Sequence, residues 1–378
     1  MMVIPYNALM RLSTQRRFLG RFGLTTCVLV TAATSPLGTA SPAGCVVEPT
    51  TPDAQVPFTR HLDTGCSEAE REAYAVRAEE LLAALKEGKG VDLAGVVVVG
   101  DLLLNELPLV SVDSLQDPPP ELQAVLGRQE LKEVRVISGP ISIRDSRVRG
   151  MISAKGKEGL LIIQGPVTMT GTTFERAVDL SRTAFLGPVD FSGSVFMSEG
   201  LFIQTLFLEP ARFQKTAFGT HTRFHKATFA DTVTFLRSGF NGLAEFLEVM
   251  FEQDASFSRT YFKMGAGFSG SRFHRMVDFS EATFAREAFF AFTVFEGDAY
   301  FRRSTFRALA NFSDAEFQGV DDFSKVLFDT KPNFIRTKVS ASRRTPGGLQ
   351  SPVFFYAIAG AVVIFMVLFV FALRKGSQ

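Results

Sequence analysis

Between residues 166 and 334 the apolar positions fall on a lattice. One series begins at Phe174 and runs through Phe185, Phe196, Phe207, Phe218, Phe229, Phe240, Phe251, Phe262, Phe273, Phe284, Phe295, Phe306, Phe317 and Phe328, each step eleven residues long. A second begins at Leu180 and continues with Phe191, Phe202, Phe213, Phe224, Phe235, Phe246, Phe257, Phe268, Phe279, Phe290, Phe301, Phe312, Phe323 and Phe334, again in steps of eleven. The two interleave with alternating gaps of six and five. Two residues before each Phe the side chain is usually small or β-branched, as at Ser194, Thr205 and Ala227 in the first series and Val189, Ala211 and Val233 in the second; Asp321 breaks the rule. Positions i−2 and i therefore point inward and i−1 points outward. That is strand alternation lasting three or four residues, after which the chain must turn.

A helix does not suit this pattern. Eleven residues match three helical turns, but Thr, Ser, Val and frequent Gly between the Phe make poor helix. Short strands with a turn every five or six residues coil instead into a solenoid, whose backbone is satisfied by ladders between coils. Composition agrees: the chain has 39 Phe, 5 Tyr and no Trp, so one structural slot is filled repeatedly by one residue type. Twenty-nine of those 39 Phe stand on the lattice. They are read as structural filler.

Segments such as Val189-Asp190-Phe191-Ser192-Gly193-Ser194-Val195-Phe196 and Val277-Asp278-Phe279-Ser280-Glu281-Ala282-Thr283-Phe284 resemble bacterial pentapeptide-repeat proteins. The match is to the variant with Phe at the repeat centre and an extra residue in alternate repeats. The resemblance implies an all-β solenoid, a right-handed four-sided β-helix over residues 166–334. Sides of 5, 6, 5 and 6 residues predict 22 residues per coil, and about seven coils of ~4.8 Å give a rod near 35 Å.

Upstream, residues 67–88 read as one capping helix. Ser67 and Glu70 form a capping box, Tyr74, Ala78, Leu81, Leu82 and Leu85 make an apolar stripe, and Gly88 ends it. Solenoid ends expose strand edges, so the stripe is expected to dock there. Residues 89–165 read as irregular first coils: alternation over 91–104, an inserted loop at 105–132 with a helix over 121–131, alternation again over 134–148, and a loop over 150–159.

The chain ends carry a different signal. Arg11, Arg16, Arg17 and Arg21 precede an apolar run over 24–33, followed by small residues at Gly38, Ala40 and Ala43, and no acidic residue precedes Glu48. This order is that of a signal peptide, residues 1–43; the alternative is an uncleaved anchor. Arg16-Arg17-Phe18-Leu19 leaves a twin-arginine signal open, and Ala43-Gly44-Cys45 a lipidation site. Residues 44–66 are then an exported segment. At the other end residues 353–373 carry no charge. A helix of that length, rising about 1.5 Å per residue, spans a bilayer core. The segment is expected to form one transmembrane helix after a flexible linker, residues 335–352. Arg374 and Lys375 favour a cytoplasmic tail, residues 374–378, while Arg336, Lys338, Arg343 and Arg344 argue the reverse. The signal peptide decides for a single-pass protein of the cytoplasmic membrane with its β-helix outside. There Cys45 and Cys66 are expected to pair, closing a loop worth about 3 kcal/mol; the alternative is two free thiols.

Charge and motifs bound the chemistry. The net charge is +1, which gives no overall pull toward nucleic acid. Some pentapeptide-repeat proteins imitate DNA and bind type II topoisomerases, but residues 171–334 hold 20 Asp+Glu against 17 Lys+Arg, a mixed surface of net −3. His61, His221, His225 and His274 are scattered, and no metal, phosphate-loop or nucleophile motif is present. Asp190, Asp278, Asp298, Asp314, Asp321 and Asp322, assigned to turns or outward positions, are the carboxylates that an envelope polysaccharide-active β-helix enzyme would need. The expectation is a non-enzymatic scaffold or interaction module of the bacterial envelope, with no catalytic, cofactor or metal residues. Its partners are the membrane, through the C-terminal helix, and an unidentified protein; neither a nucleic acid nor a small-molecule substrate is expected.

Overall fold

The two-residue alternation between Phe positions closes into four parallel sheets. A computed structural model describes Cys45, residues 57–156 and residues 159–340. We number the sheets in chain order as faces I to IV. Face I begins at Phe58–His61 and ends at Asp321–Asp322; face II runs from Val76–Arg77 to Leu327–Phe328; face III from Leu102–Leu103 to Ala310–Asn311; face IV from Leu109–Ser111 to Lys338–Val339. The described faces hold 11, 11, 9 and 11 strands. Pairing is parallel except where Leu109–Ser111 runs antiparallel to Glu133–Ile137. Within the lattice the register on every face is one coil, two lattice steps of eleven: Val189 lies over Ala211, Val195 over Ala217, Gly200 over Thr222 and Leu206 over Thr228.

The lattice fills the interior with four columns of rings. The second Phe series lines faces I and III, the first faces II and IV. Rings one coil apart stack nearly parallel: Phe235 on Phe257 (4.9 Å, 7°), Phe240 on Phe262 (5.0 Å, 8°), Phe246 on Phe268 (4.9 Å, 2°) and Phe251 on Phe273 (4.5 Å, 5°). The columns of faces I and III also meet edge to face, so that Phe257 touches both Phe246 and Phe268 at 5.2 Å and 86°. Such offset and T-shaped pairs suit the ring quadrupole. Every lattice Phe from Phe174 to Phe323 is at most 3% exposed; Phe328 and Phe334, in the last described coil, are half-buried. Each full burial is worth up to about 3 kcal/mol.

Beside the rings run two columns of hydroxyls, one before face II and one before face IV. Thr216 Oγ1 donates to Phe191 O (2.9 Å), Thr260 to Phe235 O (2.8 Å) and Thr293 to Phe268 O (2.9 Å). Ser271 Oγ also accepts from Val249 N–H in the neighbouring coil (2.9 Å). These buried groups are thus satisfied by the backbone they stitch. The turns just before these positions carry positive φ at non-glycine residues eleven apart, among them Gln204 (54°), Lys215 (56°), Lys226 (56°) and Arg237 (58°).

The start of the solenoid differs from the expectation. It begins earlier, at Phe58–His61, which pairs with Val91–Ala94. The expected helix is two: α1, Glu68–Ala73, with the Ser67–Glu70 capping box, and α2, Ala78–Lys86. Val76–Arg77 between them is drawn into a ladder with Val98–Val99, and Val76 is fully buried, so the strand interrupts the helix. Tyr74 leaves the apolar stripe and is 41% exposed. Buried Leu81, Leu82 and Leu85 of α2 pack with the inward residues of the first coils. The loop expected at 150–159 contains Ile152–Ser153, a strand of face III held between Leu102–Leu103 and Val178–Asp179. The insertion carries α3, Pro120–Arg128, whose Leu122 and Leu126 cover the outward apolar residues Ile162, Ala184 and Leu206 of face IV. Residues 335–340, read as linker, continue the last coil through Lys338–Val339 on Glu316–Phe317.

Cys45 and Cys66 are joined by a disulfide, with Cα atoms 4.7 Å apart. The expected signal peptide, the remaining linker, the transmembrane helix and the tail lie outside the described residues. Among the described residues no helix is long and apolar enough to cross a membrane.

Candidate functional site

The carboxylates weighed as catalytic candidates are built into the coil. Asp190 accepts from Ser192 N–H (2.8 Å), Asp278 from Ser280 N–H (2.8 Å) and Asp322 from Ser324 N–H (2.9 Å). Asn311 and Asn333 do the same on face III, toward Ser313 and Ile335 at 3.0 Å. The residue just before a second-series Phe thus pins the following turn, which explains why Asp, Asn, Ser or Thr recur there. Asp298 accepts from Val320 N–H (2.9 Å) and from Tyr300 Oη (3.2 Å), and Asp314 engages Arg336. Asp321 departs from its expected turn or outward position: it occupies an inward site, 1% exposed, in the last strand of face I.

Acid and base meet mostly across one coil step. Lys226 lies 3.6 Å from Glu248 and Arg259 3.0 Å from Glu281, the partners of each pair standing at the same position in successive coils. Hydrogen bonding from Arg259 holds the Glu281 carboxyl below its ordinary range, and Arg336 does the same for Asp314. At Asp322 burial pushes the pKa up, but hydrogen bonds from Arg302 and Ser324 outweigh it and the net direction is down.

Three of the four histidines join these pairs. His61 lies 3.1 Å from Asp92, and His221 3.0 Å from Glu245, which also receives Arg223 at 2.8 Å. His225 lies past the strand His221–Arg223. His274 stands between Glu296 (2.7 Å) and Glu252 (3.5 Å) on face IV. Arg272, by hydrogen bonding, and His274 hold Glu296 below the usual carboxylate range against its partial burial. Among the described residues no three His, Cys, Asp or Glu form a metal-holding group. An apolar cavity of about 20 Å³ lies between α2 and the first coils, lined by Leu81, Leu85, Leu102, Ile141 and Phe185. It is too small for a substrate.

What the geometry offers is therefore surface. Each coil repeats the same turns and stacks while its outward residues change. Four-sided coils of this kind, with a central Phe, define a class of β-solenoid. The family model for pentapeptide repeats, in nine copies, matches residues 279–327, so the coils of that segment are pentapeptide repeats. No curated protein and no solved structure matches the chain.

Proposed function

We propose that the chain is a non-enzymatic scaffold or interaction module, anchored in the cytoplasmic membrane through residues 353–373 with its β-helix on the extracytoplasmic side. The observation that carries the reading is the employment of the polar groups. Asp190, Asp278 and Asp322 hold turns, and His61, His221 and His274 pair with single carboxylates or with a pair of them, so the chemistry-bearing residues are occupied in maintaining the coil. The outward residues that vary from coil to coil are the ones a partner would contact. In this reading α2 caps the N-terminal coil. The Cys45–Cys66 disulfide supports an oxidising compartment.

Thiol trapping tests the export half of the proposal. Chain taken from cells into denaturant with a maleimide, without reductant, should leave Cys45 and Cys66 unlabelled. Labelling of both would place the domain in a reducing compartment and sink the reading. The anchoring half predicts that removal of residues 353–378 releases the protein from the membrane fraction; retention there would contradict it.

A further inference from the structure

The charge of the solenoid is not evenly spread. Six face II segments, 215–219, 237–241, 259–263, 281–285, 303–307 and 325–329, hold seven Lys+Arg and two Asp+Glu, a net of +5. Residues 171–334 as a whole carry −3, which leaves −8 for the rest of that span. Of the two acids, Glu281 is engaged by Arg259, and Asp329 lies at the far end. Lys215, Arg237, Arg303 and Lys325 recur at the corner between faces I and II, and Lys263 and Arg307 follow the outward position of face II; all six are exposed. None of them has a carboxylate within ion-pair distance among the described residues. Several cations on other sides do, as Arg223 with Glu245, Lys226 with Glu248, Arg272 with Glu296 and Arg302 with Asp322, although exposed Arg212, Arg275 and Arg286 do not.

The column between these cations is uncharged. It reads Ala217, Gly239, Tyr261, Thr283, Thr305 and Leu327, with Tyr261 41% and Leu327 61% exposed. Five coil steps from Lys215 to Lys325 make a straight strip about 24 Å long. Upstream, the same face shows how such cations are satisfied: Glu68 and Glu72 of α1 lie against Arg147 and Arg149. Downstream of α1 the strip has no such cover.

We infer that face II from Lys215 to Lys325 is a docking surface for an anionic lipid bilayer. A flat cationic strip with an exposed aromatic and an exposed leucine suits a headgroup layer, where basic side chains meet anionic phosphates and amphipathic ones enter the interface. The apolar segment 353–373 starts thirteen residues beyond Ser340, so an anchored chain keeps the strip within reach of the membrane. The inference rests on the anchoring proposed above and adds an orientation: the rod lies along the bilayer on face II.

The chain has no tryptophan, so one introduced residue is a clean reporter. Full-length chain with Tyr261→Trp, or with Met250→Trp on the opposite face IV, is reconstituted into vesicles of phosphatidylcholine alone or mixed with phosphatidylglycerol. Acrylamide then quenches the emission from water. In anionic vesicles the face II reporter should lose its quenching while the face IV reporter keeps it. The protection should vanish in about 0.5 M NaCl, where the Debye length is about 4 Å, and in the Lys215→Glu, Arg237→Glu, Arg303→Glu variant. Equal quenching of both reporters in a chain that floats with the vesicles overturns the inference and leaves the anchor intact. So does equal protection in neutral vesicles, or protection by soluble DNA or an acidic glycan but not by vesicles. A chain that does not float with vesicles at high salt refutes the anchor itself.

Discussion

Replacing Phe257 by alanine removes a ring that touches six others. Phe235 and Phe279 stack on its two faces at 4.9 Å, Phe246 and Phe268 meet it edge-on at 5.2 Å, and Phe251 and Phe262 lie at 6.0 and 6.5 Å. The residue is fully buried. A buried Phe→Ala change costs about 3–5 kcal/mol, and aromatic pairs add about 0.5–1.5 kcal/mol each beyond burial, not additively. The upper end of the range is expected, because parallel coils on both sides cannot collapse into the gap. At about 2–4 °C per kcal/mol for a domain of this size, the melting temperature should fall by roughly 10–15 °C. Far-UV circular dichroism during heating measures it, with Phe292→Ala as control: Phe292 is 64% exposed and off the lattice, so its change should stay within about 0.5 kcal/mol. Phe257→Asp should not fold at all, since it buries an unpaired carboxylate. Equal melting shifts for Phe257→Ala and Phe292→Ala would refute the inward lattice.

Three further outcomes follow from the same structure. Thr260→Val removes the Thr260–Phe235 hydrogen bond and should cost about 1 kcal/mol by urea titration, whereas Ser304→Ala should cost nothing, because Ser304 Oγ is buried without a partner. Phe292→Gly should stabilise by roughly 0.5–1 kcal/mol in the same assay, since Phe292 sits at φ 58°, where a Cβ is penalised by about 1–2 kcal/mol and glycine is not, less the entropy that glycine adds to the unfolded chain. Asp322 has a folded pKa below its unfolded value, so it stabilises above the unfolded pKa of about 3.9 and loses that contribution as pH falls through the folded value. Asp322→Asn should therefore lower stability at pH 7 and flatten the acid limb of the stability profile; an unchanged acid limb would contradict the assignment.

The lattice was legible because its signal is local. Each Phe declares its side through the residue two before it, and the coil length predicted from the alternating gaps of five and six is the observed register. The start was less legible because its partners are distant in sequence. Val76–Arg77 looks like the middle of a helix until Val98–Val99 claims its backbone, and Ile152–Ser153 needs Leu102–Leu103, far earlier in the chain. Ile162, Ala184 and Leu206 are apolar yet point outward, because α3 covers them. At the surface, Asp190, Asp278 and Asp322, assigned to turns or outward positions, pin turns; the signal was the recurrence of Asp, Asn, Ser or Thr just before the second-series Phe. Asp321, inward in the last coil, has no local cue beyond its break with the small-residue rule.

The placement of the β-helix is tested most directly by protease accessibility in intact cells with the outer envelope opened. The Phe-rich domain should be cleaved or shaved from outside, which leaves a short membrane-retained fragment around residues 353–378. Protection of the domain until the cytoplasmic membrane is broken would contradict it, invert the topology and make a cytoplasmic partner the leading reading.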